Sequence, residues 1–481
     1  MSQDKKFKHP APGQQPGDTN EQTAQQTSEA DVLAMIERIR NRSGEDIAAE
    51  SERLAVEAKR FYEEQMHFRS QKQREQLIYF AKLVLPVAFI LGAWCWLWRT
   101  EAVDTRGSIM SVLNSAAQGF LAQQPGNAKI TPKVLLIAMF YEESRNWLSP
   151  DSALQFSRKV CVPGLARGYE DIHVTETGEV ALLVVGTALI NASLSISALL
   201  TSPLFDLTKS YFVLTGIAGV NPKRATIGSV AFAKFAVQVD TQLEFDAREV
   251  PEEWGSGYVP MGADMPDQFP GIVHGSEVFE LNANLRDYAL SVAKTVELTD
   301  SPKAAEHRAL WKNSPGNVFD AAARDPTVLE GDVLSSNTFW HGHRISEAME
   351  KVARVYTSGQ GEYTMTAQED NALLAGLLNA ALQGKVDFSR ILLIRSASNF
   401  DRGHEDKPHQ LPFVMDKGGL GPSTRNLYLT ALKVIQGILQ EWSTRFEAGL
   451  PAQNYIGDIF GSLGGTPGFG DKQNVEQIRS H

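Results

Sequence analysis

The chain has 481 residues, of which 43% are hydrophobic and 21% are charged, and its formal net charge is -11. This length allows two or three domains, and the acidic balance argues against a general nucleic-acid binder, which needs a basic face to displace counterions. Two cysteines are too few for a disulfide framework or a cysteine-rich zinc site, and the net charge suits a small neutral or cationic ligand.

The N-terminal region is polar. Residues 1–30 are rich in Gln, Pro, Gly and Thr, which predicts a disordered segment. Residues 31–76 form a charged stretch with a helical pattern. Apolar residues recur there at heptad-like intervals: Ile47, Leu54, Ala58 and Phe61. This pattern fits a short coiled coil that oligomerises the protein, and it equally fits a solvated helix that leads into a membrane.

A transmembrane helix is predicted for residues 77–98, which read LIYFAKLVLPVAFILGAWCWLW. This stretch is long enough to cross a hydrocarbon core of about 30 Å, and its tryptophans crowd one end as an interfacial belt does. A buried core helix is the alternative, because Lys82 interrupts the run. Basic residues are more numerous before the run than after it. The positive-inside rule therefore predicts a single-pass protein with a cytoplasmic N-terminus and a periplasmic or extracellular main domain.

After a linker over residues 99–131, buried β-like runs alternate with amphipathic stretches. The β-like runs are 133–140, 181–189, 210–220, 229–239 and 390–398, and the helix-like stretches include 190–200 and 367–382. This alternation predicts an α/β domain over residues 132–449 with a mixed central sheet. Residues 450–481 are rich in Gly and polar side chains, which predicts a flexible tail.

Several long phrases of this domain resemble the purine nucleoside permease family. They include KVLLIAMFYEE (133–143), NASLSISALLTSPLFDL (191–207), YFVLTGIAGVNPKRATIGSVAFAKFAVQVDTQLEFDARE (211–249) and QEDNALLAGLLNAALQGKVDFSRILLIRSASNFDR (368–402). The resemblance implies a nucleoside phosphorylase-like fold of three layers with a twisted mixed sheet. It also implies a purine nucleoside as ligand and a homo-oligomer. One helix cannot form a transport path. The protein would therefore serve a transporter elsewhere, assemble from several copies, or capture and process nucleosides outside the membrane.

The resemblance also implies the residues of the sugar site. Glu369 stands where related enzymes hold the ribose hydroxyls, flanked by Gln368 and Asp370. Glu143 aligns with a glutamate that activates water in nucleoside hydrolases, although a surface glutamate at a strand end is the alternative.

At the purine end, Asn399 replaces an aspartate that protonates the leaving base in many relatives. An asparagine can donate and accept hydrogen bonds but cannot transfer a proton, so catalysis is in doubt while purine recognition is not. Ser398 precedes it. Asp401 is a substitute acid or, alternatively, a solvated loop carboxylate. Phe339 or Trp340, an aromatic pair upstream of Glu369 as in relatives, is expected to stack on the purine, and core packing is the alternative.

A phosphate site is less expected. Leu214 and Ile217 occupy positions that bind phosphate in some phosphorylases, and neither side chain can bind an anion. The turn at Gly186 and Thr187 lacks the second glycine usual in relatives, which makes a phosphate-binding turn less expected. Its backbone, with that of Gly216, is still expected to line the sugar. If the domain does chemistry, water is favoured over phosphate as the nucleophile.

Two function classes lead. The first is a membrane-anchored nucleoside-binding protein that supports uptake, and the second is a nucleoside-cleaving enzyme. A scaffold in a membrane complex is a third interpretation. No cofactor is expected, and His341 and His343 lack the carboxylate neighbours that a metal site needs. The expected partners are a purine nucleoside, phosphate as the less favoured co-substrate, the membrane and further copies of the chain.

Overall fold

The computed structural model describes residues 129–312, 314–404 and 418–470. The predicted disordered segment, the charged arm, the transmembrane span 77–98 and nearly all of the linker lie outside the described residues and stay predictions. Within these described ranges, no helix is long and apolar enough to cross a membrane.

The described strands and helices follow the predicted alternation. The strands are β1 (Val134–Ala138), β2 (Arg158–Cys161), β3 (Asp171–Val174), β4 (Val180–Val184), β5 (Tyr211–Val220), β6 (Val230–Ala233), β7 (Phe235–Gln238), β8 (Gln242–Glu244), β9 (Tyr258–Pro260), β10 (Val278–Glu280), β11 (Val328–Glu330), β12 (Asp332–Ser335), β13 (Tyr363–Ala367), β14 (Ile391–Phe400) and β15 (Gly457–Asp458). The α-helices are α1 (Tyr141–Ser144), α2 (Ala188–Thr201), α3 (Ala283–Ala293), α4 (Pro302–Ala309), α5 (His343–Tyr356), α6 (Asp370–Leu382) and α7 (Leu420–Gln440).

The two longest strands, β5 and β14, form the centre of the sheet. They run parallel, from the pair Ile391 and Phe212 to the pair Phe400 and Val220. Nearly every side chain of both strands is buried, as expected for parallel strands that are covered on two faces. Strand β1 pairs in parallel with β5 and β4, and β3 and β2 continue the sheet in antiparallel fashion. The sheet is therefore mixed, as predicted.

The other half of the sheet bends because one long strand is divided. The run 229–239 was predicted as a single strand, but the structure divides it into β6, which pairs with β14, and β7, which pairs with β12. The buried carboxylate of Asp332 accepts hydrogen bonds from the backbone N–H groups of Lys234 (3.0 Å) and Phe235 (2.7 Å) at this break. These bonds replace ladder bonds that the division removes.

Helices cover both faces of the sheet. Alternate residues of β1 enter two different cores, because successive side chains of a strand point to opposite faces. Leu135 and Ile137 pack with residues of α2 and α6, whereas Leu136 packs with residues of α3 and α7. The result is a three-layer α/β arrangement with helices on each side of a mixed sheet.

The C-terminal region differs from its prediction. Residues 450–470 were expected to be a flexible tail, yet β15 pairs with β10. Ile459 and Phe469 are buried, and the Phe469 ring lies 5.7 Å from that of Phe235. Hydrogen bonds from Asn454 to Glu280 and Leu281 (2.9 Å each) further attach this segment to the domain. The rest of the predicted tail, residues 471–481, lies outside the described part of the chain.

Candidate functional site

A cavity of about 350 Å³ opens at the carboxyl ends of β1, β5 and β14. Clefts at this edge of α/β sheets commonly hold ligands, because loops and helix N-termini meet there. The following predicted site residues line it: Glu143, Thr187, Phe339, Trp340, Gln368, Glu369, Ser398, Asn399 and Asp401. Three others, Gly186, Gly216 and Asp370, do not line it and lie behind its wall.

Glu143 is buried, with 2% of its surface exposed, so the surface alternative is wrong. Helix α1 follows β1 directly and turns this side chain into the cavity. Its Oε1 accepts a hydrogen bond from the N–H of Ile217 (2.7 Å), and its Oε2 accepts one from the N–H of Met139 (2.7 Å). Burial raises the pKa of Glu143 to about 8, against the opposing effect of Arg395 and with a further contribution from Glu369.

Arg395 is the central residue that the sequence analysis missed. It lies in β14 with 1% exposure and contacts the cavity wall. Its Nη2 donates to Oε2 of Glu369 (3.1 Å), its Nε to Oδ2 of Asp370 (3.1 Å) and its Nη1 to the carbonyl of Ile217 (3.2 Å). Burial alone would lower the pKa of Arg395, but the two carboxylates raise it overall. A single charge inside the apolar run RILLIRSAS was the available indication of this role.

Glu369 forms the N-cap of α6, as its predicted place at a helix start required. Its Oε1 accepts from the N–H of Ala188 (3.0 Å), and its Oε2 accepts from the N–H of Gln368 (3.3 Å). Burial raises the pKa of this carboxyl, and Arg395 and the Ala188 N–H oppose the rise. Asp370 differs from its predicted contact role, because both of its oxygens are taken by Arg395 behind the cavity.

The turn before α2 positions that Ala188 N–H. Gly186 has a φ of 80°, and a Cβ atom there would lie 2.8 Å from Cβ of Ala166. Ala188 has a φ of 72°, a left-handed conformation that costs a non-glycine residue about 1–2 kcal/mol. Ala188 thus adopts a conformation that glycine adopts more readily, in a turn that lacks the second glycine expected from the resemblance. Thr187 between them lines the cavity.

Gly216 allows close approach of the charged groups. A Cβ atom at this position would collide with the guanidinium of Arg395 and lie 3.1 Å from Oε1 of Glu143. The glycine thus serves the site from behind the wall rather than through its own contact with a ligand.

At the other end of the cavity, β14 shifts register between Ala397 and Asn399. Such a bulge redirects side chains. The hydroxyl of Ser398 donates to Oδ1 of Asn399 (2.9 Å), and Nδ2 of Asn399 donates to the carbonyl of Phe400 (3.1 Å). An amide has two hydrogens and two lone pairs, so Asn399 can still offer one donor and one acceptor.

Asp401 is not a solvated loop carboxylate, which corrects that alternative. It is buried, and its oxygens accept from Nε (2.8 Å) and Nη2 (3.0 Å) of Arg402 and from the hydroxyl of Tyr363 (2.5 Å). Arg402 also pairs with Glu347 on α5 (2.5 Å). Arg402 and Tyr363 therefore hold the Asp401 side chain in the protein interior.

The two aromatic residues differ. Trp340 is 6% exposed and forms part of the cavity wall, with its ring 6.5 Å from that of Tyr363. Phe339 is 43% exposed at the cavity mouth. Neighbouring His343 contacts the carbonyl of Gly403 (2.8 Å). In the part of the chain that the structure describes, no group of three or more His, Cys, Asp or Glu side chains could hold a metal ion.

The cavity offers little to an anion. Among its described lining residues, Arg395 is the cation, and carboxylates already occupy it. Leu214 is packed in the core, and Ile217 contributes backbone groups to Glu143 and Arg395. A phosphate here would displace an existing ion pair.

Comparisons with known proteins agree with the resemblance seen in the sequence. A purine nucleoside permease from Candida albicans is 38% identical over 346 residues, which cover 70% of this chain and 83% of that protein. A probable purine nucleoside permease from Schizosaccharomyces pombe is 33% identical over 324 residues, or 65% of this chain and 90% of that one.

Solved structures also match at low similarity. A 5'-methylthioadenosine/S-adenosylhomocysteine nucleosidase from Neisseria meningitidis gives a TM-score of 0.37 at 16% identity, over 64% of this chain and 99% of that one. Futalosine hydrolase of Helicobacter pylori gives 0.38 at 14% identity, over 63% and 98%. The family model for purine nucleoside permease (NUP) matches residues 131–451. The chain belongs to the purine nucleoside permease family.

Proposed function

We propose that this domain binds a purine nucleoside in the cavity and thereby supports nucleoside uptake. The observation that carries the proposal is the buried carboxylate of Glu369, held by the Ala188 N–H and Arg395 at the cavity wall. A fixed, desolvated carboxylate accepts hydrogen bonds strongly, and the vicinal hydroxyls of a ribose donate two of them. Family membership supports a role in nucleoside transport.

The other end of the cavity suits a purine. Asn399 presents one donor and one acceptor, which match the edge of a purine ring. Trp340 and Phe339 provide apolar surface for its faces. Because Arg395 already pairs with Glu369 and Asp370, the cavity favours an uncharged nucleoside over a nucleotide. Among the described lining residues, the phosphate of a nucleotide would lie near carboxylates and amides without a cation to pair with.

The membrane part of the proposal rests on the sequence. A span at residues 77–98 would keep the domain at a membrane surface, where it would capture nucleosides for a transport path formed by further copies or by another protein. A homo-oligomer is proposed on the same basis.

Titration calorimetry of the purified protein with adenosine, inosine and guanosine tests the binding. Saturable binding is expected, with much weaker binding of the corresponding monophosphates. Glu369→Ala is expected to weaken nucleoside binding by about 30-fold or more, because hydrogen bonds to a charged group contribute roughly 1.5–3 kcal/mol each. Glu447→Ala is the matched control, since Glu447 is half-exposed and pairs with Lys209. Unchanged affinity in Glu369→Ala would remove this residue from the site.

Hydrolysis of the glycosidic bond is the second candidate, and the position of Glu143 favours it. Two backbone N–H groups fix its carboxyl at the cavity wall, where an ionised form could activate water. Free base would then appear without phosphate, at a rate that rises as the pH approaches and passes about 8. Chromatography of nucleoside incubated with the protein follows this reaction. Release that requires phosphate would contradict the proposed water chemistry.

A further inference from the structure

The charged cluster at the cavity is unbalanced. Three carboxylates, those of Glu143, Glu369 and Asp370, surround one guanidinium, that of Arg395, and all four side chains are almost fully buried. With every group ionised, two negative charges would lack a counter-charge in a site poor in water. Burial of an uncompensated carboxylate is costly enough that such a group takes up a proton instead.

The surroundings indicate which carboxyl holds the proton. Glu369 and Asp370 lie at the N-terminus of α6, where the helix dipole stabilises an anion, and both bond to Arg395. The described hydrogen bonds to Glu143 come from the backbone N–H groups of Ile217 and Met139. These two bonds favour its ionised form, but neither donor carries a full charge, whereas Glu369 and Asp370 each bond to the guanidinium of Arg395.

The charged groups that act on Glu143 come from two elements. Arg395 acts from β14 and favours its ionised form, while Glu369 acts from the start of α6 and opposes it. Strands β1 and β5 contribute backbone contacts. On its own helix, Glu142 pairs with Arg145 (2.9 Å). Burial outweighs the attraction of Arg395 and raises the pKa of Glu143 to about 8.

A protonated Glu143 changes what the cavity can bind. Both of its oxygens already accept a backbone hydrogen bond, so its O–H is left to donate into the cavity, while ionised Glu369 accepts. A ribose hydroxyl both donates and accepts, and so fits a site with one carboxyl of each kind. We infer that the cavity binds its nucleoside only while Glu143 carries a proton, so that binding above neutral pH takes up one proton from solution.

This inference rests on the proposed nucleoside binding and adds its regulation. The proton comes from solvent and stays on the carboxyl of Glu143 in the complex, and no covalent bond to the nucleoside changes. Affinity is therefore higher on the more acidic side of a membrane and lower on the more alkaline side. A pH difference thereby favours capture on one side and release on the other.

Calorimetry of the full-length protein with adenosine, which does not itself titrate in this pH range, tests the inference. Titrations run from about pH 6 to about pH 9, each in two buffers of different ionisation enthalpy, which gives the number of protons bound per ligand. The expected uptake is near zero at the acidic end and near one at the alkaline end. Above about pH 8, Kd rises about tenfold per pH unit, because one protonation is linked to binding.

Glu143→Gln removes the titrating group while it keeps a neutral side chain of the same shape. Whatever affinity this variant retains is expected to be the same across the pH range, with no proton uptake. Glu447→Gln, on the exposed surface, keeps the pH dependence of the wild type.

The outcomes separate the two proposals. A wild-type Kd that stays constant across this range, or proton uptake that persists in Glu143→Gln, would overturn the inference and leave nucleoside binding intact. Absence of adenosine binding at every pH, with inosine and guanosine also unbound, would overturn the proposed function and the inference together.

Discussion

Two buried arginines lie close together in sequence at the cavity, and they have opposite surroundings. Arg395, inside β14, pairs with Glu369 and Asp370, and its remaining described hydrogen bond goes to the backbone carbonyl of Ile217. Arg402, just past the end of that strand, pairs with Asp401 and with Glu347, and Glu347 also pairs with Lys223 (2.7 Å). The second network reaches solvent and shares its anions among several cations, whereas the first lies at the wall of the cavity with acid in excess.

The difference separates a structural ion-pair network from a binding site. In a network with as many cations as anions, every group can be ionised without leaving an uncompensated charge. Such a network holds its side chains in place and gains no stability from taking up or releasing protons. In an acid-rich cluster the excess buried negative charge is unfavourable, and a bound proton or a bound ligand lowers that cost. Strained electrostatics of this kind are typical of functional sites. The cluster around Arg395 should therefore be sensitive both to mutation and to pH.

The largest expected effect comes from Arg395→Met. Removal of the guanidinium leaves buried carboxylates without a partner, which costs about 3–5 kcal/mol in the free energy of unfolding. Urea denaturation followed by circular dichroism measures it. Arg445→Met is the control, because the exposed pair with Glu441 (3.2 Å) contributes at most about 1 kcal/mol. Equal losses in both variants would contradict the difference in burial.

The pH dependence of stability should be of comparable size. The folded-state pKa of Glu143 is raised to about 8 from an ordinary 4.5, so its contribution is fully present below about pH 4.5. That contribution is lost as the pH rises through 8. The stability of Glu143→Gln relative to the wild type should therefore increase over this window, by on the order of 5 kcal/mol in total. Urea midpoints of both proteins at several pH values give this difference, and parallel curves would refute it.

Arg402→Met should cost less than Arg395→Met, about 2 kcal/mol. Asp401 would lose its ion pair, but Glu347 is half-exposed and keeps Lys223 as a partner. The pH profile of nucleoside binding should stay that of the wild type in shape. Urea denaturation measures the loss of stability, and calorimetry measures the pH profile of nucleoside binding. A loss of that pH profile in Arg402→Met would mean that the two networks are coupled.

The smallest expected effect is a gain. Ala188→Gly relieves the left-handed strain at a φ of 72° and should raise the free energy of unfolding by about 1 kcal/mol. Thermal unfolding measures it. Ala192→Gly, in the interior of α2, is the matched control and should destabilise by about the same amount, because glycine is unfavourable inside a helix. Destabilisation by Ala188→Gly would show that the turn is not strained.

The sequence allowed much of the framework to be predicted. Continuous apolar runs identify β1, β5 and β14, since only strands buried on both faces tolerate them. The division at Lys234 could not be foreseen, because it depends on the carboxylate of Asp332, which lies far away in sequence. The attachment of residues 450–470 was missed for a similar reason.

The site was predictable through its family phrases more than through its chemistry. Those phrases identified Glu143 and Glu369, and the structure brings both to one cavity. Arg395 was missed because a charge within an apolar strand has no partner in its own neighbourhood. The pairing of Asp401 was missed because β14 extends two residues beyond the predicted run, which carries that carboxylate into the interior.

The order in which the sheet is assembled has a consequence for synthesis. Strand β5 lies at the centre, yet its partner β14 is made much later, and the ring of Phe235 is covered by Phe469 only near the end of the described chain. A growing chain therefore carries open strand edges and apolar surface until its last part emerges, which is when aggregation competes with folding. A chain cut at residue 449 would keep every cavity residue named above and still lack a closed core.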